Sequence, residues 1–357
     1  MMLDSLNLMR FNSKLSFLTC MRKVDRILVA VLIVCSLPLS AAQYVPALSP
    51  GQQRAYYRGF ESVPLENRLF PAPLSVIEAA HRINLRNGVY LRPVPCSPKH
   101  SLIPILQNML RSLPAKIYRL ASKYLMAIFL VEHNFGSAFT EAVKDSQGQW
   151  STGYMLLNLT AFNRPADEWA SWRENSAFHS AGNFHVRVIL EEPQNNTIES
   201  ALRFIFLHEL GHILGIGLKV HGYWDDPETH WLTKNSSFMR ISWEPDQTGR
   251  LVSSWKFRFP LLTRIVFYRF EQAPLSKAVA PKVYRELAQT NFTSLYGSLN
   301  PVEDFAEAFA LYVHTQILNR PYLVEVHRGT EKIGVYNSCI QRHTCPGKSG
   351  FVANILK

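Results

Sequence analysis

The chain has 357 residues, of which 38 are Lys or Arg and 27 are Asp or Glu, so its formal net charge is +11 at pH 7. The basic residues are scattered along the chain, and no run resembles a nucleic-acid-binding arm. We therefore predict no nucleic-acid partner. The excess of positive charge would suit an anionic cell-envelope surface, such as cell wall or membrane headgroups.

Residues 1–42 have the pattern of a signal peptide. Basic residues at positions 22–26 precede the apolar run 27–37, which is short for a membrane span but typical of a signal-peptide core. Small residues at positions 40–42 predict cleavage before Gln43. An uncleaved anchor is the alternative, and it would also place the body outside the cytoplasm. We expect an exported protein, periplasmic or secreted.

The remainder predicts an α+β fold. Residues 43–98 are rich in proline and polar side chains, which favours a wrapping or linker-like N-terminal extension, and residues 99–357 are long enough for one catalytic domain. Turn residues and hydrophobic patterns predict the following elements: a short helix at 74–82, a helix at 102–120 interrupted near Pro114, strands at 124–131 and 153–159, a loop with Trp169 and Trp172 as packing anchors, and a half-buried strand at 184–191.

A histidine pair lies within the apolar stretch 198–218. His208 and His212 are four residues apart, so on a helix they project from one face and can bind the same metal ion. Glu209 would lie beside that metal, where a carboxylate can take a proton from a metal-bound water. The flanking residues are apolar nearly all round and predict a buried helix with its N-cap at Asn196. A satisfied structural His/Glu cluster is the alternative.

A catalytic zinc usually has three protein ligands, so a third donor is needed. Position 218, where the metzincin pattern has a histidine, is leucine, which excludes that arrangement. Asn300 and Pro301 favour the start of a second helix on which Glu303 and Glu307 share one face. We predict Glu303 as the third ligand, unless it only closes a capping box, and Glu307 as the partner of a ligand histidine's other ring nitrogen. The intervening chain offers four alternative donors: His221, Asp225, Asp226 and His230.

These motifs carry a family resemblance. His208-Glu209-x-x-His212, with Tyr296-Gly297 and Glu303-Asp304-Phe305-Ala306-Glu307, resembles the gluzincin metallopeptidases, most of all the anthrax lethal factor zinc-domain family. The resemblance covers the two metal-site helices, a small part of the chain. It implies a zincin-like domain with a small mixed sheet, a bound Zn²⁺, and a tyrosine at position 296 that donates its hydroxyl to the oxyanion of the transition state.

Together these assignments predict a zinc metalloendopeptidase that acts on peptide or protein substrates, with Glu209 as general base. The strand at 184–191 would then lie at a sheet edge above the metal, where an extended peptide can add as another strand. One alternative is a cell-wall peptide amidase. Another is a non-catalytic exported protein that keeps zinc, or only the polar cluster, for folding and binds envelope partners.

Two further features concern the rest of the chain. Residues 220–280 form an aromatic-rich insertion, whose core we expect to be structural and whose edge at 221–230 we expect to line the cleft. Cys20 and Cys35 fall in the predicted signal peptide. Of the remaining cysteines, Cys339 and Cys345 can close a small loop, or Cys96 can bridge to either.

Overall fold

The computed structural model describes residues 52–357, whose helices and strands are mixed in an α+β arrangement, as predicted. The signal peptide, its cleavage site, Cys20 and Cys35 lie outside the described residues. Within residues 52–357, no helix combines the length and the apolar character required to cross a bilayer.

The α-helices of this part of the chain are α1 (Leu74–Arg86), α2 (Leu102–Arg111), α3 (Ala115–Tyr124), α4 (Ala166–Asn175), α5 (Ile198–Gly217), α6 (His230–Asn235), α7 (Ala280–Leu287), α8 (Pro301–Tyr312) and α9 (Pro346–Ile355). The strands are β1 (Leu69–Pro71), β2 (Val94–Pro95), β3 (Leu125–Glu132), β4 (Ala138–Lys144), β5 (Trp150–Asn158), β6 (Phe178–His179), β7 (Phe184–Ile189), β8 (Trp243–Pro245), β9 (Leu251–Ser253), β10 (Leu275–Ser276), β11 (Leu323–Arg328) and β12 (Glu331–Asn337).

The main sheet has the strand order β1-β3-β5-β4, with β2 paired to β3 outside this path. β1, β3 and β5 are parallel, and β4 is antiparallel to β5 at one edge, so the sheet is mixed. β3 is apolar almost throughout because both of its faces are covered. Ile128 and Leu130 pack in the core that contains α5, whereas Phe129 and Val131 pack with α1.

Residues 52–98 take part in this sheet. β1 pairs with β3 at Leu69–Ile128, and α1 buries Val76 and Ile77 against the opposite face from α5. Of the two forms that composition favoured, wrapping or linker-like, the described part of the segment has the first. The helix predicted at 74–82 is confirmed as α1, which extends to Arg86, whereas its packing against the sheet could not be read from the local pattern.

A second sheet has the antiparallel order β12-β11-β7. The strand predicted at 184–191 is β7, and Val186 and Val188 are buried as its alternating pattern indicated. Its partner, β11, follows it by more than a hundred residues, so the sequence around β7 could not show which sheet it joins. The prediction that this strand lies above the metal is wrong, because β4 occupies that place.

Other local predictions can be compared with the structure. The helix at 102–120 is confirmed as two helices, α2 and α3, separated at Pro114. The loop predicted around Trp169 and Trp172 is wrong, because both lie on α4, where Trp169 is fully buried and donates to Ser137 Oγ at 3.0 Å. The pair Asp167 and Glu168 opens this helix and favours its N-terminus.

The cysteines of the described part form one disulfide. Cys339 and Cys345 are bonded, with their Cα atoms 5.4 Å apart, and Cys96 is a buried free thiol. The small loop that the spacing allowed is therefore the one formed, and it leads directly into α9.

Candidate metal centre

The helix that carries the histidine pair is α5. It begins at the N-cap Thr197, whose hydroxyl accepts a hydrogen bond from Ser200 N at 3.2 Å, instead of at Asn196 as predicted. Asn196 instead accepts from Asp167 N at 3.0 Å, which ties the start of α5 to α4. Almost every side chain from Ser200 to Ile216 is buried, as the apolar flanks predicted.

Close contact between α5 and α8 depends on a glycine. Gly211, between the two histidines, lies against the α8 backbone, and a Cβ at this position would be 2.8 Å from the Cα of Ala306. Any larger residue would therefore separate the helices. Asn300 caps α8 by accepting from Glu303 N at 3.0 Å, with Pro301 in the first turn, as predicted.

Three predicted ligand atoms meet between these helices. Glu303 Oε2 lies 3.2 Å from His208 Nε2 and 3.2 Å from His212 Nε2. Two ligands held tetrahedrally about 2.1 Å from one ion would be about 3.4 Å apart, so the spacing suits a shared metal. Among the described residues, this is the one group of His, Cys, Asp and Glu side chains whose spacing could hold a metal ion.

The surroundings of the three atoms favour a cation. Glu303 Oε2 is buried and makes no hydrogen bond of acceptable angle, although both imidazole nitrogens lie close to it. The three atoms are therefore close together without being hydrogen-bonded to one another. Burial alone would lower the pKa of His208, but Glu303 and Glu307 raise it to about 10. A positive charge is therefore stabilised between these carboxylates, and two imidazoles with a carboxylate are a suitable donor set for a divalent metal ion.

The ring nitrogen of His208 that does not face Glu303 faces Glu307. His208 Nδ1 lies 2.9 Å from Glu307 Oε1, a hydrogen-bonding distance, although the angle is not that of a regular hydrogen bond. The fully buried Glu307 also contacts Arg173 at 3.2 Å and accepts from Ser294 Oγ at 2.5 Å. Glu307 thus occupies the place predicted for it. The Nδ1 atom of His212 has no hydrogen-bond partner within residues 52–357.

The carboxylate of Glu209 is held by a residue that sequence reasoning missed. Thr140 Oγ1, on edge strand β4, lies 2.8 Å from Glu209 Oε2 and 3.1 Å from the carbonyl oxygen of Glu209. Burial raises the pKa of Glu209, and the charges of His208 and His212 oppose that effect. Nothing in the sequence around Thr140 marks it, since the contact requires β4 to lie beside α5.

Tyr296 packs against one of the two histidines. Its ring centroid is 5.6 Å from that of His208, and the side chain lines the same cavity. Burial raises the pKa of its hydroxyl well above the usual value, so the group is a proton donor at neutral pH. Arg173 lies over the ring at 5.2 Å, which helps to hold it in place.

The four alternative donors are engaged elsewhere. His221 is buried with Nδ1 2.8 Å from Gly222 O, and its other ring nitrogen packs against Gly215. Asp225 lies 3.4 Å from Arg86, and Asp226 accepts from Trp150 Nε1 at 2.6 Å. His230 Nε2 is 3.2 Å from Trp224 O. None of the four belongs to the metal-compatible group of the described residues.

A cleft of about 850 Å³ leads to this centre. Residues Ala138 to Glu141 of β4 line one part of the cleft, and Tyr296 and residues 299–303 line another. Residues of the aromatic-rich insertion, among them Trp224, His230 and the turn at 248–251, complete the lining. The edge of the insertion therefore reaches the cleft, and Trp243, which also lines the cleft, is otherwise buried in the core.

A buried ion pair holds α8, the helix that carries Glu303 and Glu307. Asp304, next to Glu303, lies 2.7 Å from Lys348 Nζ on α9 and accepts from Trp243 Nε1 at 2.9 Å. Both charged side chains are fully buried, so removal of either would leave an uncompensated charge. The insertion and the C-terminal helix thereby fix the position of α8 relative to α5.

Glu141 provides a test of the electrostatics of the cleft. Burial raises its pKa from 4.5 to about 7, although Tyr223 donates to it at 2.6 Å. Between pH 4.5 and about pH 7, residue 141 is ionised in the unfolded chain but still protonated in the folded one. Glu141 therefore lowers the free energy of unfolding increasingly up to about pH 7, and by a constant amount above it. We expect Glu141→Gln to raise the free energy of unfolding at pH 8 by up to about 3 kcal/mol, with no gain at pH 4.

Urea denaturation of the parent and the variant at both pH values measures this difference. Glu228→Gln, at an exposed position, is the matched control and should be neutral at both. If Glu141→Gln changed the free energy of unfolding equally at pH 4 and pH 8, the pKa of Glu141 would not be raised in the folded protein.

Comparison of the chain with protein-family models, with curated proteins and with solved structures finds no match, so its function must be inferred from the metal centre and the cleft.

Proposed function

We propose that this protein is an exported zinc-dependent metallopeptidase with a zincin-like fold. The observation that carries the proposal is the convergence of His208, His212 and Glu303 at one buried point that opens into a cleft. Three protein ligands leave a coordination position for water, as in catalytic zinc sites. The gluzincin resemblance of the two helices supports zinc over other divalent ions.

The remaining site residues have distinct proposed roles. A zinc ion held there would supply Lewis acidity and a water of lowered pKa. Glu209 would take a proton from that water and later pass it to the leaving amine. Tyr296, a proton donor at neutral pH, would donate a hydrogen bond to the oxyanion that develops at the scissile carbonyl. Glu307 would orient His208 through its Nδ1 atom.

An extended peptide is the substrate that fits the cleft. β4 is an edge strand whose last residue, Lys144, forms an isolated bridge with Gln53, and no other strand among residues 52–357 pairs with its outer side. The outward backbone groups of the rest of β4 are therefore available for pairing with another chain. The same strand supplies Thr140 beside Glu209. A peptide paired with β4 would therefore run past the metal centre, with its backbone recognised along the strand.

Thr140 allows a direct test of how Glu209 is positioned. Thr140→Val removes the hydroxyl but keeps the side-chain shape, so we expect kcat to fall about tenfold while KM and zinc content stay near parental values. Thr140→Ser keeps the donor and should restore most of kcat. Steady-state kinetics with metal analysis distinguishes these results, and equal losses of kcat in both variants would contradict the role.

The function itself is tested with purified protein and a diverse peptide mixture, with and without a zinc chelator, and with products identified by mass spectrometry. We expect chelator-sensitive cleavage of internal peptide bonds. Release of fragments only from cell-wall peptides would favour an amidase instead. Tightly bound zinc without any hydrolysis would indicate a structural site in a non-catalytic protein.

A further inference from the structure

A second cavity, of about 320 Å³, adjoins the metal centre. It shares His208, Glu209 and Tyr296 with the main cleft, so the two spaces meet at the proposed catalytic residues. A cavity in this position would receive a side chain of a substrate whose backbone lies in the main cleft. The inference below rests on the proposed peptidase function.

The lining of this cavity is mainly apolar. Separate parts of the chain contribute large apolar side chains, among them Phe135, Phe139, Ile205, Ile265, Val266 and Phe267. These six come from the start of β4 and the loop before it, from α5, and from the aromatic-rich insertion, and Ile83 of α1 and Leu299 before α8 add to the same lining. Burial of a substrate side chain against these groups is favourable in proportion to the apolar area removed from water.

The charged residues of the lining do not favour a charged substrate side chain. Arg173 is buried and lies 3.2 Å from Glu307, which compensates its charge. Arg269 has an exposed side chain, so water weakens its attraction for an anion. Glu209 has its proposed role in proton transfer. A charged side chain would lose its hydration in this cavity, and the water-exposed Arg269 would compensate that loss only weakly for an acidic one.

The insertion wall of the cavity is held in a defined conformation. Tyr268 and Phe270 have φ angles of 60° and 49°, in the left-handed region that bulky residues rarely adopt. Ser176 holds this segment: its hydroxyl accepts from Tyr268 N at 2.9 Å, and its carbonyl oxygen accepts from Phe270 N at 2.9 Å. Backbone strain of this kind persists where surrounding contacts enforce it, often at functional sites. The cavity wall is therefore formed before a substrate binds.

We propose that this cavity is a specificity subsite that accepts a large apolar side chain, aromatic or long aliphatic, from the residue flanking the scissile bond. The substrate class is thus peptides with Phe, Tyr, Leu or Met at that position. Tyr268 and Phe267 contribute aromatic surface on one side, and Ile205 lies on the helix that carries the metal-site histidines. The aromatic-rich insertion thereby selects the substrate.

The test compares kcat/KM for peptides that differ at one residue, placed on either side of the scissile bond. We expect Phe or Leu to exceed Ala by about tenfold or more at one of these positions, and Asp and Lys to be poorer than Ala. Val266→Trp fills the cavity and should lower the Phe-to-Ala ratio about tenfold, whereas Val335→Trp, at an exposed position on β12, should leave it unchanged.

Val266→Lys is a second variant, because it places a charge at the partly exposed rim with little change in packing, and it should also reduce the ratio. Zinc content and circular dichroism of both variants should match the parent. Cleavage without an apolar preference, or a preference unchanged in both Val266 variants, would overturn the subsite while leaving the peptidase function intact. Absence of chelator-sensitive cleavage in the parent would instead refute the proposed function.

Discussion

Glu209→Gln is expected to reduce kcat about 10²- to 10⁴-fold while zinc content stays at the parental level. The glutamine has nearly the same shape as glutamate, and its carbonyl oxygen can still accept from Thr140, so the helix and the ligand positions should persist. What the variant lacks is a side chain that can take a proton from water and return it to the leaving amine. A peptidase that depends on this transfer cannot use the amide.

The matched control for this variant is Glu199→Gln, in the first turn of the same helix. Glu199 is partly exposed and pairs with Arg203 at 2.9 Å, an interaction of small energetic value. The Glu199→Gln variant should have the same kcat and the same metal content as the parent. Steady-state kinetics and elemental analysis on the two variants measure the comparison, and a Glu209→Gln protein that cleaves as fast as its parent would disprove the assigned base.

Removal of the carboxylate of Glu303 should have the largest effect on metal binding. Loss of a residue that hydrogen-bonds to a metal ligand typically lowers metal affinity about 10- to 100-fold. Loss of a ligand itself should lower the affinity by more than about 100-fold. We therefore expect Glu303→Ala to be purified largely without zinc and to lose turnover in proportion. Competition with a chromophoric chelator measures the affinity directly.

The same variant also has a consequence for stability. Zinc that binds only the folded chain raises the free energy of unfolding, by about 2.7 kcal/mol when free metal is a hundredfold above its dissociation constant. A chelator should therefore lower the melting temperature of the parent but not that of Glu303→Ala. Glu228→Ala, an exposed carboxylate near the cleft, serves as control and should respond to the chelator like the parent. If Glu303→Ala keeps stoichiometric zinc and the same affinity, Glu303 is not a ligand.

The two metal-site helices illustrate how far local pattern extends. The spacing of His208 and His212 places both imidazoles on one face of any α-helix, and the Asn300-Pro301 start places Glu303 and Glu307 on one face of another. These relations depend on residues three or four apart, so they follow from helix geometry alone. The missed helix at Trp169 and the N-cap at Thr197 show the limit, because both were decided by contacts with distant chain segments.

The amino-acid sequence by itself determined an α+β composition, the buried histidine helix, the capped glutamate helix and the candidate ligands on them. Only the tertiary structure decided that Glu303 reaches both histidines, that β4 and not β7 borders the cleft, and that Thr140 contacts Glu209. The physical reason is chain distance. Helix periodicity and capping act over a few residues, whereas strand partners and helix crossings depend on which apolar surfaces bury each other, and sequence separation does not specify that.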